Sequence, residues 1–385
     1  MKYLLDCTRA YLYNEKLGEP SDINFDSLFK LAKVHNLSPV VFSVIKDNPS
    51  AIENGTSYKL FEQSFFDSIA RYDFQSRIIG EIDELLCSSK IRHIFFKGAK
   101  IREYYPIPEL RSMGDIDLLI YREDRESVKR VLVSHGYELV NSNGPVYDYK
   151  KDGVLIEVHT KIVSGKVGKS NAEMYFENAV DYAQFDGYSG ELEKEYHFCY
   201  LITHIAHHFW FYGAGVKMIL DLAVMQQHFD LDFNIIEKHL KALGLYEFAK
   251  TILTICKKWY GFGSDFGVET KNAEEFLLSF GAFGNSNRNK AAVVKRKALE
   301  EGKKSGFATK IALLFPSYKK LKDIPYMRFM EGRPYLLIYG WIYRIFYNFR
   351  YRKDFVKQTT SNLDSAEVET QAEKEIKFFE EIGLL

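Results

Sequence analysis

Two carboxylates, Asp115 and Asp117, stand two residues apart in Arg111-Ser-Met-Gly-Asp-Ile-Asp-Leu-Leu-Ile120. Gly114 before the pair reads as loop, and Leu118-Leu119-Ile120 after it reads as a buried strand. Residues i and i+2 of a strand leave the same face, so both acids point one way. At roughly 5–6 Å and an effective dielectric near 20, their repulsion costs about 3 kcal/mol. A bound cation offsets that cost. Mg²⁺ or Mn²⁺ suits such oxygen ligands, and Mg²⁺ commonly shares them with substrate phosphates. A third acid lies in Val154-Leu-Ile-Glu-Val-His159, where alternation puts Leu155, Glu157 and His159 on one face. Three carboxylates on adjacent strands can hold two metal ions, align an attacking oxygen and neutralise a transferring phosphoryl group. The competing reading is that these are strand-end acids facing water.

Other residues supply what such a centre needs. Phe95-Phe-Lys-Gly-Ala-Lys100 ends a strand and opens a helix, whose free N–H groups suit an anion. Gly98 would let a ligand approach the backbone, and Lys97 adds a point charge. Arg111 could clamp a triphosphate as a fork. His159 could orient Glu157, touch an acceptor or make a structural hydrogen bond. His204 and His208, four apart on one helical face, could line the cleft, bind zinc or simply pack. No Glu at metallohydrolase spacing and no Cys accompanies them, which argues against zinc. Lys217 and Asp221, also four apart, most simply form a helical salt bridge, with a pocket role as the alternative.

The surrounding patterns predict an α+β fold: a small mixed sheet flanked by N-terminal and C-terminal helical domains. Residues 1–90 carry helical spacing, for example Phe61, Phe65, Ile69, then Ile78, Ile82, Leu85. Strands are predicted at 91–96, 115–121, 137–140, 146–150 and 154–160. A helix over 124–135 is closed by Gly136, and Asp152-Gly153 makes a hairpin turn. Lys161 to Asn171 reads as an exposed loop. Helices are predicted over 193–212, 216–229, 233–243 and 245–260. The expected division is a helical region 1–90, a catalytic core 91–187, a helical domain 188–260 closing the cleft, a basic aromatic region 261–357 and an acidic tail helix 358–385.

The ordered set Phe-Phe-Lys97-Gly98-Ala-Lys, Tyr104-Tyr-Pro, Arg111-Ser-Met-Gly114-Asp-Ile-Asp117, Gly136-Tyr and Ile156-Glu-Val-His159 resembles the uncharacterised nucleotidyltransferases of the polymerase-beta-type superfamily. The match is close over 91–160. It continues more loosely through the His-rich helix, Val216-Lys-Met-Ile-Leu-Asp221 and the segment from Phe315 to Arg344. The resemblance implies metal-dependent transfer of a nucleoside monophosphate from an NTP, by a two-metal mechanism, to a hydroxyl or similar acceptor. Asp115, Asp117 and Glu157 would be the metal-binding carboxylates. The superfamily's usual Gly-Ser or Gly-Gly turn stands here as Lys97-Gly98-Ala99, which makes Lys97 the substitute phosphate contact. The acceptor is left open among a small molecule, RNA and protein, the last two including toxin-like activity. A catalytically inactive nucleotide-binding or interaction module is the further alternative.

The 385 residues are 46% hydrophobic and 27% charged, which fits a globular protein. Formal net charge is zero, so no bulk attraction to polyanions is expected. Yet Arg288 to Lys357 holds 18 Lys/Arg against 5 Asp/Glu, and Ser361 to Leu385 holds 7 Asp/Glu against 2 Lys. A solvated helical region partly neutralised by the tail is the plainest reading of that segment. Nucleic-acid binding is second, and a membrane surface is least favoured. Four scattered cysteines form no Cys-x-x-Cys pair, and the N-terminus lacks the apolar core of a signal peptide. A reduced, cytoplasmic chain is the expectation; composition sets no oligomeric state or base preference.

Overall fold

The computed structural model describes residues 2–18, 23–142, 144–163, 165, 167–279, 281, 293–296, 299, 311, 313–322, 324–330, 332–353, 356–357 and 365–385. The chain forms two compact units. The first holds residues 1–141, 145–285 and 382–384; the second holds 286–381 with 142–144 and 385.

In the first unit, helices α1 (Lys2–Tyr13), α2 (Phe25–Val34), α3 (Ser38–Ile45), α4 (Pro49–Glu53) and the long α5 (Gly55–Ser88) precede the sheet. Then come β1 (His93–Phe95), the short α6 (Gly98–Ile101), β2 (Asp115–Ile120) and α7 (Arg125–Ser134). Strands β3 (Glu138–Asn141), β4 (Val146–Lys151) and β5 (Val154–His159) follow as a meander. Gly136 at φ +85° ends α7, where a left-handed residue is needed. Asp152 and Gly153, both at positive φ, form the predicted β4–β5 turn.

The mixed sheet has seven strands in the order β3-β4-β5-β2-β1-β7-β6. Two of these, β6 (Ala183–Asp186) and β7 (Ser189–Leu192), are absent from the sequence-based expectation. Each has four residues, and Gln184, Asp186 and Glu191 mask the apolar signal of Phe185 and Leu192. The Lys161–Asn171 loop is likewise not the exposed stretch expected, because Ile162, Val163 and Val167 are buried.

Alternation along the central strands separates two faces. Ile116, Leu118 and Ile120 of β2 pack with Val154, Ile156 and Val158 of β5 against Ile78, Ile82 and Leu86 of α5 and Val128 and Leu132 of α7. His93 Nε2 lies 3.0 Å from Asp83 Oδ1, which ties β1 to α5. The opposite face carries the acids. It meets α9 (Lys194–Phe211), where Phe96 packs against Tyr200 at 5.6 Å between ring centroids. Helices α10 (Val216–His228), α11 (Phe233–Leu243), α12 (Tyr246–Tyr260) and α13 (Lys271–Ser279) complete the unit, after the short α8 (Ala172–Tyr175). All four cysteines are free thiols.

In the second unit, the helix Leu337–Tyr351 packs on Leu321, Met327 and Met330. Lys295 and Arg296 are buried there and pair with Glu369 (3.4 Å) and Glu375 (3.1 Å) of the tail helix Ala366–Glu381. The acidic tail thus answers part of the basic segment, and these two cations are withdrawn from any nucleic-acid face. Lys297, Lys303 and Lys304 lie outside the described residues. Among the described residues no helix is long and apolar enough to cross a membrane.

Ile116 is fully buried between α5, α7 and the sheet and sits between the two acids in sequence. Ile116→Ala is expected to lower unfolding free energy by about 2–5 kcal/mol through cavity formation. Denaturant melts of both proteins measure this; a loss under about 0.5 kcal/mol would remove Ile116 from the load of the core.

Candidate active site

Parallel pairing of β2 with β5 sets Asp117 directly opposite Glu157, and Leu119 opposite His159. The acids and His159 therefore converge because both strands alternate in phase. Asp117 is buried, while Asp115 and Glu157 are half-buried. One carboxylate oxygen each of Asp117 and Glu157 and a ring nitrogen of His159 all lie within 4.8 Å of one another. His159 Nε2 stands 2.9 Å from Asp117 Oδ1 and 3.2 Å from Glu157 Oε2. Lys97 Nζ donates to the same Asp117 oxygen at 2.7 Å.

The electrostatics follow from that crowding. Burial alone would raise the Asp117 pKa, but the Lys97 charge and the His159 hydrogen bond outweigh it and hold it below the usual value. Burial works against charge on Lys97 and His159 too. Asp117 overrides it in both, and Glu157 accepts a second hydrogen bond from His159, so both pKa values lie above normal. Asp115 goes the other way. Burial, then the Asp117 and Glu157 charges, push it up to about 6. Asp115 is thus the acid of the three whose charge is least answered by its neighbours, and it lies outside the ligand-spaced group of Asp117, Glu157 and His159.

Lys97 itself holds φ +49° and ψ −128° at the end of the strand, a conformation few non-glycine residues adopt. Such strain costs on the order of 1–3 kcal/mol and persists where packing imposes it. Here the conformation accompanies an ammonium aimed at Asp117. Gly98 stands where a side chain would not fit. A Cβ there would lie 2.9 Å from both Arg111 Nη1 and Met113 Cγ, so these side chains occupy the close approach. The helix that follows, α6, has only four residues, too few to build much of a dipole.

Arg111 does not point a free fork at the cleft. It is buried and grips Asp221, Nε to Oδ1 at 2.8 Å and Nη2 to Oδ2 at 2.9 Å, while Tyr105 donates to Oδ1 at 2.6 Å. The expected Lys217–Asp221 bridge gives way to this pair. Lys217 Nζ instead donates to the Ser112 carbonyl at 3.0 Å. Both contacts brace the 111–114 loop that delivers Asp115, so they position the site from behind.

A cavity of about 410 Å³, within the range of small-ligand sites, is lined by Glu157 of the three acids and by neither Asp115 nor Asp117. Its walls include Lys97, Glu157 and His159 from the sheet, Ile162 and Val163 from the loop, and Tyr200, Thr203, His204 and His208 from α9. The two expected histidines therefore do line the cleft, with ring centroids 4.6 Å apart. Burial, and for His204 the neighbouring His208, push both pKa values down, to about 4 for His208, so neutral rings face the cavity at pH 7. Among the described residues neither belongs to a group with metal-ligand spacing. Tyr200 and Thr203 were missed by the sequence reading. The spacing of Tyr200 four residues before His204 was the available signal.

Two outcomes test the bracing residues. Asp221→Ala leaves the Arg111 guanidinium buried without its partner and should cost about 3–5 kcal/mol in a denaturant melt, with Arg111→Met plus Asp221→Leu recovering most of it. Equal melts for wild type and Asp221→Ala would refute the brace. Burial first, then Arg111, depress the Lys217 pKa from 10.5 to about 8. The unfolded chain then holds more protons in that window, so native stability measured against Lys217→Met should rise from pH 8 towards 10.5. A difference flat across those pH values contradicts a buried ammonium.

No curated protein and no solved structure matches this chain. A family of uncharacterised nucleotidyltransferases matches residues 21–261, which takes in the whole sheet, Lys97, the three acids, α9 and Asp221. With that match over more than half its length, the chain belongs to the uncharacterised nucleotidyltransferase family.

Proposed function

We propose that this protein transfers a nucleoside monophosphate from an NTP to an acceptor hydroxyl, with Mg²⁺ or Mn²⁺ held by Asp115, Asp117 and Glu157. The observation that carries the reading is the in-phase pairing of β2 and β5, which sets Asp117 against Glu157 on the face that bears Asp115. The donor set fits a hard divalent cation: carboxylate oxygens from two strands, one of them with its pKa pushed up to about 6 partly by its neighbours' charge. A cation bound there supplies charge neutralisation at the transferring phosphoryl group and makes the acceptor hydroxyl more acidic.

The chain's own residues do the rest. Asp117 is kept ionised by Lys97 and His159, so it is ready as a ligand near neutral pH. Lys97 competes for the same Asp117 oxygen, and a triphosphate in the cavity offers its ammonium a second anionic partner. His159 holds Asp117 and Glu157 at fixed separation through one nitrogen. Tyr200, His204 and His208 form a wall of neutral polar groups, suited to a base, a ribose or an acceptor more than to phosphate. Small molecule, RNA and protein all stay within the acceptor class.

Purified protein with Mg²⁺, each labelled NTP in turn and cell extract should transfer label to one class of acceptor. Asp115→Ala plus Asp117→Ala should lower transfer at least about 100-fold, as expected for loss of transition-state charge stabilisation. Thermal shift with NTP and Mg²⁺ should be seen for wild type and be lost in the double variant. Identical shifts in both proteins would sink the metal assignment, and no label from any NTP would leave an inactive nucleotide-binding module.

A further inference from the structure

The helix Leu337–Tyr351 turns an apolar stripe to the outside. Ile338, Ile342, Phe346 and Phe349 are each between 63% and 72% exposed, and Tyr335 in the preceding turn is 77% exposed. Spacings of three and four residues put them on one side of a helix, in a stripe roughly 20 Å long. The other side is already engaged. Leu337 and Trp341 pack on Leu321, Met327 and Met330, Trp341 Nε1 donates to the Pro316 carbonyl at 2.8 Å, and Arg344 Nη1 donates to the Leu313 carbonyl at 2.7 Å. The exposed side is therefore not a core face awaiting the rest of its own cluster. Nor is it the solvated charged surface expected from the sequence, because the charge lies at its ends.

We infer that this face docks on an anionic lipid surface, with Ile338, Ile342, Phe346 and Phe349 in the interface and the basic C-terminal end of the helix on the headgroups. Charge decides among the occupants. Residues 333–353 contain five Lys/Arg and no Asp/Glu, and Arg350 and Lys353 are exposed where the stripe ends. A second copy would bring two such all-basic segments together, which like-charge repulsion opposes. A nucleic acid would meet the arginines but gain nothing from three exposed isoleucines, Ile338, Ile342 and Ile345. An anionic bilayer accepts both halves, taking the apolar side chains at the acyl boundary and the cations at the headgroups. At 15 residues the helix lies in the interface plane and does not span.

The full chain should co-sediment with phosphatidylcholine vesicles containing phosphatidylglycerol, and several-fold less with phosphatidylcholine alone. Ile342→Asp plus Phe346→Asp should weaken this at least tenfold. Arg350→Glu plus Lys353→Glu should weaken it severalfold and flatten its salt dependence. These side chains are exposed, so circular dichroism and melting temperature should match wild type in both variants. Sedimentation no greater with anionic vesicles than without vesicles overturns the inference, as does equal binding by the Asp variant. Loss of a dimer in the Asp variant by sedimentation velocity, without lipid binding in wild type, would assign the face to a second copy. RNA binding lost in the Glu variant but kept in the Asp variant, again without lipid binding, would assign the segment to nucleic acid.

Discussion

Three carboxylates crowded on one face of a mixed sheet are the constraint around which the first unit is arranged. In-phase pairing of β2 and β5 brings Asp117 and Glu157 together, and Asp115 follows from strand alternation. Left alone, this concentration of charge would be costly in a half-buried place. Lys97 and His159 answer it at Asp117, where both bond one oxygen. They do not fully answer it at Asp115, whose pKa stays raised. That asymmetry, one acid stabilised and one not, is what the proposed metal site draws on.

The acids are useful only if the loop before β2 is held still. Arg111, Asp221 and Tyr105 do this from α10 and the turn after α6, with a two-pronged ion pair and a hydroxyl donor in a buried setting. A buried pair of this kind repays its desolvation only with good geometry and satisfied hydrogen bonds, and both are present. Gly98 contributes by omission. Without a Cβ it lets Arg111 and Met113 close against the start of α6. The strained Lys97 backbone lies one residue earlier, so strain, close packing and the ammonium that reaches Asp117 all fall within two residues.

The two units distribute charge and apolar surface differently. In the first, exposed apolar side chains such as Phe66, Val140 and Met174 are scattered over several elements, and Lys97, Glu157, His159, His204 and His208 line a cavity. In the second, two basic residues are buried on acidic partners, while aromatic and branched side chains of Leu337–Tyr351 face outward. Such an inversion is unfavourable for a solvated surface, because burial of each large apolar side chain is worth about 1.5–3 kcal/mol. An exposed stripe of this size points to a surface that meets something apolar.

The sequence by itself determined the elements whose signals are local: the Asp115–Ile120 strand with both acids on one face, the Asp152-Gly153 hairpin, the Gly136 helix stop, the long helices and the apolar alternation that singled out Glu157. It also placed His204 and His208 on one helical face, because that depends only on a four-residue period. It could not see β6 and β7, whose four-residue length and polar content leave no usable period. It paired Lys217 with Asp221, because a near pair in sequence competes with pairs more than 100 residues distant, and only packing decides between them. The Asp221 carboxylate meets Arg111 across 110 residues, whereas Lys217 lies four residues away with its ammonium on a backbone carbonyl. Register was the other tertiary decision. Each strand alone says which side chains share a face, but only the pairing of β2 with β5 says that Asp117 stands opposite Glu157.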